Sequence, residues 1–427
     1  MTRILFWNLW NFNLDRITQN GGAQLKNIIY NITKTDPAIF SLIELPTGGA
    51  TEGKFVMGKY ETAAITLMNH LNAPFFKHGV VPPWKMVPPV VTGEGGKSEG
   101  VAVYYRSDVV KFTGPWFCTD SSGAPPATKA KGSKYISSPG DTTENNPSTI
   151  HSYPSNWNSV MLKKTDTEGG QWEFQNTTGK AQEYPAAGYR RPWLTTFREI
   201  KGGRDLEIFS FHAAFGDGGK MAVPAVEALA KTKEIVAAFA TKTPAIRVVG
   251  GDFNLDMNNR NKKKPYDGIV KLGFESAFSK KPVSNKFHYT SLRAIDANYK
   301  GTLTTKITTG LYPNFSYSSS AYDQAFVKGH AAPLKNQMIL NQVIGVDINY
   351  AGYPNQNAKG KAIDQGYGFS KNIPADTTKF TIPTRMSKEA DVIRKMTKGD
   401  PDAEFRKDEN YGHIRLTSDH MGIVVEV

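Results

Sequence analysis

A short stretch near the middle of the chain limits the fold more than any other. From Val248 to Asp256 an apolar run ends in two glycines and then places Asp252 and Asn254 two residues apart. Such a run predicts a buried β-strand, and the glycines predict that neighbouring atoms come close to the backbone at the end of that strand. A carboxylate there can hold a cation or take a proton from water, and a carboxamide can donate to a phosphate oxygen. Because Gly, Asp and Asn also favour turns, an ordinary strand and turn is the alternative.

The composition is that of a globular protein with a basic surface. The length of 427 residues suggests two or three domains by itself, and 39% of the residues are hydrophobic. There are 52 Lys and Arg against 39 Asp and Glu, a net charge of +13, which favours a polyanionic partner, although scattered lysines also serve solubility. Cys118 is the single cysteine, so an internal disulfide and a thiolate zinc site are excluded.

The apolar segments are too short for membrane insertion or cleaved export. No run approaches the length of a membrane span, and Asn8 and Asn11 interrupt the N-terminal apolar segment before it reaches the length of a signal-peptide core. We therefore expect a protein that is cytoplasmic as synthesised and has no signal peptide. Export by a specialised route stays open as an alternative.

Other predicted strands also carry polar side chains at their ends. These residues are Asn8, Glu44, Glu99, His212, Asp323, Asp419 and His420. Helical spacing of apolar residues predicts helices around 25–32, 60–71 and 224–241 between the strands. Alternating strands and helices predict layers of sheet and helix, in which the strand ends are the expected place for an active site.

Two long stretches interrupt this pattern. Ser, Gly, Pro, Asn and Thr dominate from about 114 to 188, which predicts a surface insertion. We expect a second insertion over about 328–411, with strands near 343–348 and a short helix near 388–396. The lysine run Lys262, Lys263 and Lys264 follows the candidate site, and a solvated face and a phosphate-binding surface are about equally good interpretations of it.

In this order the polar residues resemble the motifs of the endonuclease/exonuclease/phosphatase superfamily, and most of all its deoxyribonuclease I-like nucleases. The matching segments extend from Asn8 to His420; they are Trp7-Asn8, Glu44, Ser98-Glu99-Gly100, Arg190-Arg191-Pro192, Phe211-His212, Gly251-Asp252-Phe253-Asn254, Tyr322-Asp323 and Ser418-Asp419-His420. Ile43 departs from the pattern, since the family usually has Gln before the glutamate. The resemblance implies one domain over 1–427, folded as a four-layered α/β sandwich of two mostly antiparallel sheets flanked by helices.

The resemblance also implies a metal site and contacts with phosphate. Glu44, Asp419 and Asn8 would hold Mg²⁺ or Mn²⁺, which prefer hard oxygen ligands. Arg190 would clamp a neighbouring substrate phosphate, and the lysines at 262–264 would add to that surface.

Two histidine–carboxylate pairs follow from the same resemblance. His212, supported by Glu99, would protonate the leaving group, and His420, oriented by Asp323, would contact the phosphate or help to activate water. Asn254 would hold a non-bridging phosphate oxygen. Whether Asp252 or a histidine is the general base stays open. The other histidines are interpreted as structural, with His288 as the one to re-examine.

Three features favour DNA among the superfamily's substrates. His212 is present where abasic-site enzymes usually lack a histidine, Asp323 is followed by Gln324 rather than by the Arg of inositol phosphatases, and the net charge is +13. We expect a DNA endonuclease of low sequence specificity. The alternatives are a lipid or inositol phosphate phosphodiesterase or phosphatase, and a non-catalytic nucleic-acid-binding protein.

A nuclease without a signal peptide threatens its own cell, so we also expect a restricted substrate, an inhibitor or immunity protein as partner, or specialised delivery. A monomer is the favoured oligomeric state.

Overall fold

The computed structural model describes residues 1–15, 23–50, 56–78, 81–93, 95–114, 190–216, 220–236, 245–259, 264–278, 289–291, 320–331, 334–341, 346–349 and 418–427. The strands are β1 Arg3–Asn8, β2 Ile39–Leu45, β3 Trp84–Thr92, β4 Glu99–Arg106, β5 Val110–Gly114, β6 Trp193–Glu199, β7 Asp205–His212, β8 Ile246–Asp252, β9 Glu275–Ser276, β10 Asp323–Lys328, β11 Lys335–Asn341, β12 Val346–Asn349 and β13 Ile423–Glu426. The helices are α1 Ala23–Thr35, α2 Lys59–Lys77, α3 Ala222–Leu229, α4 Lys233–Val236 and α5 Lys264–Lys271.

The strands form two sheets that are antiparallel except at their centres. The first has the order β12-β11-β13-β1-β2-β4-β3, and the second has the order β5-β6-β7-β8-β10-β9. Only β1 with β2 and β7 with β8 run parallel among the described strand pairs. The predicted sandwich of two mostly antiparallel sheets is therefore confirmed.

Alternation along the strands separates the layers. In β1, Ile4 and Phe6 join the core between the sheets, whereas Leu5 and Trp7 join a second cluster with the apolar faces of α1 and α2. On the second sheet, Tyr266 of α5 stacks on the ring of Phe326 in β10, with the centroids 5.5 Å apart. Helices thus cover the outer face of each sheet.

The two glycines of β8 are required where the sheets meet. A Cβ atom on Gly250 would lie 2.4 Å from the ring of Phe6 in the opposite sheet. Gly251 has φ +136°, and a Cβ atom there would lie 2.1 Å from the carbonyl oxygen of Phe211. A short hydrogen-bonded contact of 2.7 Å between the hydroxyls of Ser41 and Ser210 also joins the sheets nearby.

Two sequence expectations differ from the structure. β11 and β12 fall inside the stretch expected to be a surface insertion over 328–411, yet they extend the first sheet beside β13. The helix expected over 224–241 is divided into α3 and α4, and the Thr232 hydroxyl donates to the carbonyl of Ala228 at the break (2.8 Å), in place of a continued helical ladder.

Several expectations lie outside the described residues. They are the first insertion over most of its length, the short helix near 388–396 and His288. A single domain over 1–427 stays a prediction. Within the ranges given above, no helix is both long and apolar enough to cross a membrane.

Candidate active site

Strand register brings the predicted site residues to one edge of the sandwich. In the second sheet, His212 at the end of β7 pairs with Asp252 at the end of β8, and Asp323 at the start of β10 pairs with Asp252 from the other side. In the first sheet, Asn8 at the end of β1 pairs with the residue before Glu44. Parallel pairs at the centre of each sheet therefore place their carboxyl ends together.

His212 is held by Glu99 across the two sheets. Nδ1 of His212 lies 2.7 Å from Oε1 of Glu99, and both side chains are buried. With that nitrogen donating, Nε2 faces Asp252 Oδ2 at 3.3 Å and Asn254 Nδ2 at 3.0 Å. Burial and the charge of Arg190 lower the pKa of His212, but the charges of Glu99 and Asp252 outweigh them and raise it to about 9. The raised pKa favours the protonated imidazole, in which Nε2 donates to Asp252, whereas the amide nitrogen of Asn254 can donate to Nε2 only in the neutral form.

His420 forms the second pair. Its Nδ1 lies 2.8 Å from Oδ2 of Asp323, and its Nε2 lies 3.4 Å from Oδ2 of Asp252. Burial would lower the pKa of His420, but the charges of Asp323 and Asp252 hold it well above the usual value. Burial raises the pKa of the Asp323 carboxyl to about 6 despite the neighbouring imidazole.

Asp252 is the shared partner of both histidines. Its carboxylate is 1% exposed, and burial alone would raise the pKa, but the charges of His420 and His212 outweigh burial and lower it. Oδ2 also accepts from Nδ2 of Asn8 at 3.1 Å, and Oδ1 accepts from the backbone N–H of Asn254 at 2.8 Å. The carboxylate therefore stays ionised between two protonated imidazoles.

The two asparagines of the site are oriented by backbone groups. Nδ2 of Asn254 donates to the carbonyl of Ala213 at 2.7 Å, and the residue adopts a left-handed φ of 51°. Oδ1 of Asn8 accepts from the N–H of Trp10 at 2.9 Å. The amide nitrogen of Asn8 therefore donates to Asp252, and the N–H of Trp10 occupies one lone pair of the Asn8 amide oxygen.

Glu44 has the features of a metal ligand. Its Oε1 lies 3.9 Å from Nε2 of His212, whereas its Oε2 is buried and has no hydrogen-bond partner among the described residues. Burial raises the pKa of Glu44, and the charges of Glu99 and Asp419 add to that effect. The residue also adopts φ 67°, a conformation that costs free energy for a glutamate. An orphaned hard oxygen beside two further carboxylates fits a divalent cation such as Mg²⁺.

Of the predicted metal ligands Glu44, Asp419 and Asn8, only Glu44 belongs to a group of described residues whose atoms are close enough to share an ion. One group of atoms close enough to share an ion comes from Glu44, Glu99 and His212, and a second comes from Asp252, Asp323 and His420. Asp419 is 27% exposed in its side chain, and its Oδ1 lies 3.9 Å from Nε2 of His420. Glu99 thus stands next to the predicted metal residue as well as next to its histidine.

Arg190 is bound within the site. Its Nη2 lies 3.2 Å from Oε2 of Glu99, its Nη1 lies 3.0 Å from Nδ1 of His212, and its Nε donates to the carbonyl of Lys97 at 2.8 Å. The predicted phosphate clamp therefore also fixes the Glu99 carboxylate.

The lysine run is described only at its end. Lys264 is exposed and begins α5, while Lys262 and Lys263 lie outside the described residues.

Three supporting residues have no role assigned from the sequence. Thr290 accepts the backbone N–H of Asp323 at 2.8 Å, and the Ser418 hydroxyl accepts the N–H of His420 at 2.9 Å and donates to the carbonyl of Asn8. The indole of Trp7 donates to the carbonyl of His420 at 3.0 Å. Trp7 and Ser418 adjoin predicted site residues, which was the available signal, whereas nothing in the sequence around Thr290 indicates its role.

Several solved structures of endonuclease/exonuclease/phosphatase family proteins are similar to this chain. One from Leptotrichia buccalis has 11% identity and a TM-score of 0.42, and the match covers 100% of this chain and 99% of that one. The mannosyl-6-phosphatase of Bacteroides thetaiotaomicron has 15% identity and a TM-score of 0.38, with 80% and 90% covered. The human Nocturnin catalytic domain has 10% identity and a TM-score of 0.40, with 99% and 92% covered. No protein-family model and no curated protein matches the chain.

Proposed function

We propose that this chain is a divalent-metal-dependent phosphodiester hydrolase of the endonuclease/exonuclease/phosphatase superfamily, acting as a DNA endonuclease of low sequence specificity. One observation carries the proposal: two buried histidine–carboxylate pairs, His212 with Glu99 and His420 with Asp323, are both directed at Asp252. A single pair would suit a structural histidine. Two pairs around one ionised carboxylate would provide protonated imidazoles as donors and the carboxylate as an acceptor for a phosphate bound beside them.

His212 would serve as the general acid. Its pKa of about 9 keeps the imidazole protonated at neutral pH. Glu99 bonds Nδ1, so Nε2 is the ring nitrogen that can face the substrate. A proton held there can be given to the leaving oxygen as the P–O bond breaks. Glu99 keeps the other nitrogen occupied and thereby fixes which nitrogen delivers the proton.

Asp252 and His420 would handle the attacking water. The lowered pKa keeps Asp252 ionised, so it can accept a hydrogen bond or a proton from water. The protonated His420, held by Asp323, can donate to a non-bridging phosphate oxygen, and the amide of Asn254 can do the same without adding charge.

Glu44, with Asp419 and Asn8, would hold the cation. A divalent ion bound by these oxygens neutralises phosphate charge and steadies the leaving oxygen. The orphaned Oε2 of Glu44 supports this assignment.

A DNA substrate is supported by charge. The net charge of +13 favours an extended polyanion over a zwitterionic lipid head group. Arg190 lies at the site, and Lys264 with its two preceding lysines adds positive charge after β8.

A panel of substrates tests the proposal directly. Pure protein is incubated with plasmid DNA, RNA, an abasic oligonucleotide, sphingomyelin and inositol phosphates, with Mg²⁺, with Mn²⁺ and with EDTA. We expect nicking of plasmid DNA that requires the cation. Release of phosphocholine or of inorganic phosphate without DNA cleavage would favour the lipid or inositol phosphate alternative instead.

Two substitutions separate catalysis from binding. Asn254→Ala and His420→Ala are expected to abolish cleavage while DNA binding, measured by gel shift, is retained. Full cleavage in both variants would refute the assigned site. DNA binding without cleavage of any substrate by the wild type would favour a non-catalytic nucleic-acid-binding protein.

A further inference from the structure

A cleft opens beside Glu44, between the end of β2, the first turn of α2 and the segment before β4. We call it the Tyr60 cleft, and its lining includes the side chains of Asn11, Glu44, Thr47, Tyr60, Glu99 and Arg190. Glu44, Glu99 and Arg190 also belong to the candidate active site. A group bound in the Tyr60 cleft would therefore adjoin a phosphate held at that site.

One wall of the Tyr60 cleft is a tight turn after β2. Gly48 and Gly49 adopt φ +68° and +90°, and a Cβ atom on Gly48 would lie 2.2 Å from the carbonyl oxygen of Met57. The carbonyl of Thr47 accepts the N–H of Met57 at 3.2 Å, which ties the turn to the segment before α2. Asn11, which is also in the lining, has a left-handed φ of 55°. The shape of the cleft is thus specified in part by the backbone.

The charges of the Tyr60 cleft disfavour a second phosphate as its occupant. Its charged lining side chains, among the described residues, are Glu44, Glu99 and Arg190. The guanidinium of Arg190 is already bound by Glu99 and by the carbonyl of Lys97. Apart from the cation proposed for Glu44, a second phosphate would therefore face two carboxylates and one arginine that is already paired. An uncharged group avoids this repulsion.

Three neutral polar side chains of the lining have hydrogen-bonding groups without a partner among the described residues. The side-chain amide of Asn11 and the hydroxyl of Tyr60 make no hydrogen bond to another described residue. Oγ1 of Thr47 accepts from the N–H of Gly49 at 3.2 Å, which leaves its own O–H without an acceptor in the described part of the chain. Neutral donors and acceptors around an aromatic ring suit a ring that carries hydroxyl groups and an apolar face.

We propose that the Tyr60 cleft binds an uncharged sugar ring joined to the phosphate that is cleaved, and so selects the substrate. The proposal rests on the proposed function for the position of that phosphate. A nucleotide's deoxyribose, a hexose and an inositol all have this chemistry. Thr47 and Asn11 bond the ring's oxygens, and Tyr60 packs against the ring and bonds one further oxygen.

Calorimetry with small phosphates tests the Tyr60 cleft without requiring turnover. The ligands are inorganic phosphate, deoxyribose 5-phosphate, glucose 6-phosphate and inositol 1-phosphate, each titrated into the full chain with Ca²⁺. We expect at least one sugar phosphate to bind about tenfold more tightly than inorganic phosphate, as expected for one or two extra hydrogen bonds. The sugar phosphate that binds more tightly than inorganic phosphate identifies which kind of ring the Tyr60 cleft binds.

Two variants and a matched control assign the preference to the cleft. Thr47→Val and Tyr60→Phe should each weaken the preferred sugar phosphate about fivefold and leave inorganic phosphate unchanged. Thr62→Val makes the same change as Thr47→Val on α2 outside the lining, where the hydroxyl donates to the carbonyl of Gly58 at 3.1 Å, and should keep the preference. The proposal is overturned if the wild type shows no preference, or if both cleft variants keep it.

A substrate without a sugar keeps the two proposals apart. Bis(4-nitrophenyl) phosphate with Mg²⁺ reports hydrolysis at the candidate active site alone. Hydrolysis of this ester by the wild type and by Thr62→Val at equal rates, with the calorimetric loss above in the two cleft variants, is the expected result. No hydrolysis by the wild type would refute the proposed function. The calorimetric preference would still show whether the Tyr60 cleft binds a sugar ring.

Discussion

Nδ1 of His212 lies 2.7 Å from Oε1 of Glu99, although the two residues are 113 positions apart in the chain. His212 ends a strand of the second sheet, and Glu99 begins a strand of the first sheet. The hydrogen bond therefore joins the two sheets at the edge where the site lies. It makes the protonation state of His212 depend on how the sheets pack together.

The first prediction concerns this pair. Glu99→Gln should lower kcat for cleavage by about ten- to a hundredfold with little change in KM, because the amide leaves the protonated imidazole uncompensated and less well oriented. In a His212→Ala background, Glu99→Gln should lower kcat hardly any further, because the two side chains act as a unit. Steady-state kinetics on the four proteins measures this.

A similar pair elsewhere in the chain supplies the control. Nε2 of His330 lies 3.5 Å from Oε2 of Glu275, away from the site residues. Glu275→Gln should leave kcat unchanged. Equal losses in Glu99→Gln and Glu275→Gln would show that the effect is not specific to the site.

The second prediction uses the pKa of His212. Folding raises this pKa from 6.5 to about 9, so the folded state holds the proton more tightly than the unfolded chain. Its contribution to stability is fully present below pH 6.5 and is lost as the pH rises through about 9. The difference in unfolding free energy between wild type and His212→Gln should shrink by about 3 kcal/mol across this range.

Urea unfolding in EDTA at a series of pH values measures that difference. His330→Gln removes an imidazole elsewhere in the described part of the chain and is the control for the loss of a histidine. A difference between wild type and His212→Gln that stays constant from about pH 6 to 9.5 would contradict the shifted pKa.

The sequence was sufficient to place most residues of the candidate site at strand ends. Asp252, Asn254 and His212 follow apolar runs too short for helices, so their position at strand tips follows from the pattern. The motifs predict the pairing of His420 with Asp323, and Nδ1 of His420 lies 2.8 Å from Oδ2 of Asp323.

Other features depend on tertiary packing that no local pattern records. Arg190 bonds both Glu99 and the carbonyl of Lys97. These residues are far apart in the chain, so no periodic pattern in the local sequence predicts the contact. Strand β11 lies within the stretch that was expected to be a surface insertion. It joins the sheet because β13 offers an open edge beside it.

The third prediction concerns the cation. Glu44→Gln should weaken Mg²⁺ binding by more than about tenfold, the loss typical of removing a group that merely supports a ligand. Because burial and nearby carboxylates raise the pKa of Glu44, wild-type affinity should rise with pH as this carboxyl loses its proton. Calorimetric titration with Mg²⁺ measures both effects, and Glu61→Gln on α2 is the control for the loss of a glutamate. Unchanged Mg²⁺ affinity in Glu44→Gln would exclude Glu44 as a ligand.

The fourth prediction returns to the strand tip at β8. Gly251→Ala should destabilise the fold by more than about 3 kcal/mol, because the site combines an unfavourable backbone angle with a severe clash. The φ of +136° is unsuited to alanine, and the new Cβ atom would lie 2.1 Å from the Phe211 carbonyl oxygen, which cannot move without disturbing β7. Gly203→Ala isolates the backbone effect, because its φ is +65° and no atom lies within 4 Å of the added methyl group. That variant should lose about 1 kcal/mol. Urea unfolding compares the two, and similar losses would mean that close packing of Gly251 against β7 does not constrain the strand tip.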